Sequence, residues 1–147
     1  MSVALGRIAA LVVLLAVLAA CGGASDPSDL ARQASAICTA YSRAVDGLAA
    51  PKTMPQTATY ARKARTLFAS GARKLHALHP DPADAASYRQ WLALVDRALG
   101  RVAALEQAAR AGDRAKINAL GNATAKARVK SDALARTLGF TACATAR

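Results

Sequence analysis

Along most of this chain apolar side chains recur at steps of three and four, the period of one face of an α-helix. Leu30, Ala34, Ile37, Tyr41, Val45 and Leu48 form one such stripe, and Tyr60, Ala64, Leu67, Gly71, Leu75 and Leu78 form a second with the same spacing. A third runs through Tyr88, Trp91, Leu92, Val95, Leu99, Val102 and Leu105. A fourth, thinner stripe runs through Ile117, Leu120, Thr124, Ala127, Ser131, Leu134 and Leu138. The punctuation between stripes agrees with four helices. Asp26-Pro27 or Ser28 can open the first helix, which ends by Pro51, and Pro55 to Thr59 starts the second. His79-Pro80-Asp81-Pro82 breaks the second, Asp81 or Asp84 can cap the third, and Ala111-Gly112-Asp113 is a stop and restart. Gly139-Phe140 reads as a glycine C-cap with its hydrophobic contact. Short connections make successive helices antiparallel neighbours, so the predicted fold is all-α, an up-down-up-down four-helix bundle.

The first residues follow a different pattern. Arg7 is the only early charge, and the apolar run Ile8 to Leu18 is shorter than the roughly 20 residues of a membrane-spanning helix. It reads as the core of a secretory signal. It ends Leu18-Ala19-Ala20-Cys21, which resembles the bacterial lipobox, where a diacylglycerol is attached to the cysteine before cleavage. The expected organisation is therefore a signal over residues 1–20, a lipidated tether over 21–28, and one helical domain over 29–147. The expected location is the extracytoplasmic face of a cell membrane, anchored by lipid at Cys21.

Composition then sharpens the picture. The chain is 54% hydrophobic but only 4% aromatic, and its apolar content is rich in alanine, which favours helices packed through small side chains. Its formal charge is +11, one unit less once Arg7 leaves with the signal. In an exported protein this charge points to anionic lipids or wall polymers and away from nucleic acid. With Cys21 lipidated, Cys38 and Cys143 remain in an oxidising compartment and are expected to form a disulfide. In the bundle, the end of the fourth helix returns beside the start of the first, which brings the two cysteines together.

From Ala36 to Cys143 the chain resembles a group of small lipoproteins of high-GC actinobacteria with no assigned activity. The resemblance rests on the lipobox cysteine, Ile37-Cys38, Tyr88-Arg89-Gln90-Trp91-Leu92, Ala111-Gly112-Asp113 and the ending Ala135 to Cys143. It implies a disulfide-closed helical lipoprotein and carries over no catalytic residue.

Candidate chemistry is sparse. His76 and His79, one turn apart at the end of the second helix with Asp81 and Asp84 beyond, are the strongest metal-ligating pair, although histidine near a helix C-terminus is favourable in any case. Ser87, a histidine and Asp84 can be imagined as a triad, but no nucleophile-elbow motif accompanies them. Glu106 is the only glutamate, so the Glu-x-x-His pairs of di-iron bundles are absent. Cys-x-x-Cys-His haem attachment is absent too. Arg62-Lys63-Arg65 and Lys126-Ala127-Arg128-Val129-Lys130 are the densest basic clusters and read as solvated helix faces. Tyr41, Tyr60, Tyr88 and Trp91 lie on or beside the apolar stripes and read as core. The sequon Asn122-Ala123-Thr124 lies mid-helix and reads as coincidental.

The sequence-based expectation is thus a non-enzymatic binding or structural module at the cell envelope, with no cofactor beyond the lipid on Cys21. The alternative is a metal-binding or hydrolytic protein using the His76 and His79 end. Because the lipid precedes the first helix, that end is expected to face the membrane, with Arg32, Lys74, Arg136 and Arg147 meeting anionic headgroups.

Overall fold

The computed structural model describes residues 28–145, so the expected signal, Cys21 and Arg147 lie outside the described residues. Helices α1 (Asp29–Asp46), α2 (Met54–His76), α3 (Ala85–Arg110), α4 (Arg114–Thr137) and α5 (Thr141–Thr145) follow one another, with no strand among the described residues. The four long helices form an up-down-up-down bundle. Antiparallel register is visible in single contacts: Tyr41 packs on Phe68 between α1 and α2, and His76 meets Asp96 while Arg65 meets Glu106 between α2 and α3.

Local chemistry explains the helix limits. Ser28 caps α1 by accepting from the Ala31 amide at 3.1 Å, and Asp113 caps α4 by accepting from the Lys116 amide at 2.9 Å. Helix α2 starts at Met54, slightly before the position expected from Pro55, because Thr53 accepts from the Gln56 amide and places Pro55 in the first turn. Asp84 occupies the cap position of α3 but makes no side-chain cap bond, contrary to expectation. Its backbone is already helical at φ −94° and ψ −13°, whereas a capping side chain requires the extended conformation to reach the first free amides.

Gly112 and Gly139 end α3 and α4 with φ of +70° and +75°. In each case the following residue donates back five positions: Asp113 to the Ala108 carbonyl at 2.9 Å and Phe140 to the Ala135 carbonyl at 2.7 Å. The second of these turns throws the chain back as α5, a short helix absent from the sequence-based division. Phe140 is driven fully into the core, edge-on to Trp91 at 5.1 Å and to Tyr88 at 5.9 Å. The core lies at this end, among Leu30, Ala34, Leu75, Tyr88, Trp91, Val95 and Leu138. Toward the other end, α2 and α3 are joined by buried Ala61, Ala64, Ala108 and Ala109, whose small side chains permit close packing.

The bundle closes differently from the simplest expectation. No Cα atom of α1 comes within 8 Å of one in α4; α5 sits between them and contacts both. Cys143 on α5 is bonded to Cys38 on α1 with a Cα–Cα distance of 5.1 Å, so the disulfide closes the fold through α5. The bridge spans 105 positions, and in the chain-entropy account a loop of that size contributes about 4–5 kcal/mol.

Candidate functional site

Where α5 ends, the seam between α1 and α4 has no filler. The inward positions of α4 along it are Thr124, Ala127 and Ser131, too small to reach the opposite wall. A cleft of about 230 Å³ results. Cys38 and Tyr41 of α1 line one side, Thr124, Ala127, Arg128, Ser131 and Asp132 of α4 the other. The floor is apolar: Phe68 and Leu75 from α2, and Trp91, Leu94, Val95 and Ala98 from α3. Tyr41 leans on Phe68 at 5.3 Å between ring centres, and burial raises its phenol pKa above the usual value, with nearby Tyr60 adding to the shift. The phenol remains a neutral donor at physiological pH.

Two arginines reach the cleft, and they differ. Arg128 is balanced by Asp132 one turn along α4, Nε to Oδ2 at 3.2 Å. Arg101, one turn beyond Ala98 on α3, has no carboxylate partner among the described residues, and its Nε is buried without a hydrogen-bond acceptor. A buried donor of a charged group left unpaired is costly, and native structures rarely leave one without a purpose. The cleft therefore combines an apolar bed with one uncompensated cation.

Larger hollows of about 600 and 490 Å³ lie at the other end of the bundle, around Met54 to Arg62 and Leu48 to Lys63. They are formed by helix ends and loop backbone, and neither contains a buried side chain in need of a partner. The α1/α4 cleft is the better candidate on chemistry, although it is smaller.

No family model matches this chain, and no curated protein or solved structure does either.

The residues singled out in the sequence are dispersed by the fold. His76 Nε2 lies 2.9 Å from Asp96 Oδ1 of α3, so its partner is neither Asp84 nor Ser87, and both side chains of the pair are about half exposed. His79 is exposed on the connection after α2. Among the described residues no three His, Cys, Asp or Glu side chains gather as a metal site. Arg32 pairs with Asp29, which offsets the charge expected to face a membrane, while Lys74 and Arg136 are exposed at the same end of the bundle.

Arg65 leaves its basic cluster to contact Glu106 at 3.1 Å, and Arg110 contacts the same carboxylate from the next turn of α3. Glu106 is 3% exposed, so the only glutamate in the chain is an internal tie between α2 and α3. Its Oε2 faces Arg65 as an ion pair without the alignment of a hydrogen bond. Sequence reasoning missed Arg101. The signal was present: Trp91, Leu94, Ala98 and Arg101 step by three, four and three, which puts an arginine in phase with an apolar stripe.

Proposed function

We propose that this chain is an extracytoplasmic lipoprotein, tethered to the membrane by lipid on Cys21, and that it serves as a non-enzymatic binding module which receives an apolar ligand in the α1/α4 cleft. The observation that carries the reading is the cleft itself. An aromatic and aliphatic floor, half-buried at Tyr41, Phe68, Leu94 and Ala98 and backed by buried Leu75, Trp91 and Val95, lies between two helices held apart by α5, and filling it removes the remaining apolar surface from water at about 25 cal/mol per Å². The apolar run before Leu18-Ala19-Ala20-Cys21 supports the location. The Cys38–Cys143 bridge suits an oxidising compartment. Among the described residues no helix is long and apolar enough to cross a membrane.

Two measurements test the two halves of the proposal. Mass spectrometry of the mature N-terminus is expected to find diacylated Cys21; an unmodified chain starting elsewhere overturns the anchor. A neutral naphthylamine dye is expected to bind saturably to the full chain carrying Cys21→Ser, and to lose that binding in Ala127→Trp, which fills the cleft from the α4 wall. Dye binding indifferent to Ala127→Trp, with the melting temperature retained, overturns the binding site.

A further inference from the structure

The proposed cleft is not symmetric along its length, and its asymmetry describes a ligand. At one end lie Trp91 and the Cys38–Cys143 bridge; at the other, ten residues along α3, stands Arg101. With a helical rise of 1.5 Å per residue the two are about 15 Å apart. The bed between them is formed by Leu94, Val95 and Ala98. A dry cavity of about 150 Å³ accommodates a benzene molecule, so the roughly 230 Å³ here suits one medium-length hydrocarbon chain and is too small for a pair of long acyl chains.

Charge completes the description. The other ionic groups of the lining, Arg128 and Asp132, neutralise each other. Arg101 is left as a single positive charge whose Nε is withdrawn from water and has no acceptor. A guanidinium in that position matches a carboxylate or phosphate oxygen, and low local polarity strengthens such a bond.

We infer that the α1/α4 cleft binds a single-chain anionic amphiphile, its hydrocarbon chain on Trp91, Leu94 and Ala98 and its acidic headgroup on the guanidinium of Arg101. The inference rests on the binding-module reading above and narrows it to a ligand class. Fatty acids and phosphate-headed lysolipids share this chemistry, as one chain ending in one acidic group. The diacyl chains of the anchor itself are excluded by the size of the cleft.

Trp91, the only tryptophan in the chain, reports on its own site. The full chain carrying Cys21→Ser, purified without detergent, is titrated with decanoate, decyl phosphate, decanol and decyltrimethylammonium while Trp91 emission is followed. Decanoate or decyl phosphate is expected to bind about tenfold or more tightly than decanol, and the cation to bind most weakly. Whichever acid binds more tightly separates the fatty-acid source from the phosphate-headed one. Arg101→Gln is expected to erase the preference for acids over decanol, and Arg101→Lys to restore part of it. Thermal melts of both variants verify the fold.

Equal binding of decanol and decanoate, unaffected by Arg101→Gln, overturns the anionic assignment and leaves the apolar cleft standing. If no titrant changes Trp91 emission, the assignment falls together with the binding-module reading. A stable dimer that dissociates in Ala127→Trp and excludes every titrant overturns both in another way, by making a second copy the occupant.

Discussion

Tyr88 shows how much one side chain can be asked to do. It is 2% exposed, stacks beside Trp91, meets Phe140 edge-on, and donates from its hydroxyl to the Leu75 carbonyl of α2 at 2.5 Å. Burial pushes its pKa from 10.0 up to about 12. The folded state therefore keeps the phenolic proton over a pH range in which the unfolded chain has lost it. The associated stability is complete below pH 10 and is lost as pH rises through about 12. Chemical denaturation of wild type and Tyr88→Phe checks this. The variant is expected to be about 1 kcal/mol less stable at pH 8, from the lost hydrogen bond, and to fall less steeply between pH 10 and 12. Parallel alkaline slopes in the two proteins would contradict the assignment. The stripe already marked Tyr88 as a core position. Its partner on α2 was not legible, because a backbone carbonyl near a helix end carries no side-chain signature.

At the scale of elements, the glycines divide by what the backbone needs. Gly139 has a left-handed φ of +75°, and a Cβ there would sit 3.4 Å from that of Ala31, so the turn into α5 depends on it doubly. Gly121 lies inside α4 with ordinary φ, and a methyl group added there would meet nothing within 4 Å. Gly139→Ala is expected to lower stability by about 1–2 kcal/mol through the left-handed conformation, with a further cost from the tight contact. Gly121→Ala is expected to raise stability by about 0.5–1 kcal/mol, by removing backbone freedom from the unfolded chain. Urea titrations of the two variants decide the matter, and a stabilised Gly139→Ala would refute the role given to the turn. The four long helices and the Gly112 and Gly139 stops were readable because periodicity and left-handed glycine are local properties. Helix α5 was not readable: five residues give no period, and what holds it is the burial of Phe140 and Ala144 against distant helices.

For the whole molecule, a lipid on Cys21, as proposed, would leave seven residues to Ser28, a reach of at most about 25 Å, while the 26 residues of α3 extend about 39 Å. In the lipoprotein reading, the end carrying Pro80 is then held nearer the bilayer than the end carrying Gly112. Lys74 and Arg136 assist with about 1 kcal/mol each against an anionic surface. Spin labels at positions 80 and 112 of the lipidated protein in anionic vesicles are expected to report a smaller distance from the headgroups at 80. Equal distances would contradict the orientation. The sequence alone determined the all-α class, the four long helices, their antiparallel order and the pairing of Cys38 with Cys143, because each follows from spacing within a segment or from short connections. Only the tertiary structure decided that α1 and α4 stand apart, that α5 joins them at one end, and that Arg101 is left unpaired over an apolar floor. The gap depends on the size of a wedge coming from the far end of the chain, Phe140 with Cys143. The isolation of Arg101 depends on which acidic groups the packing brings near, and neither is a property of any one segment.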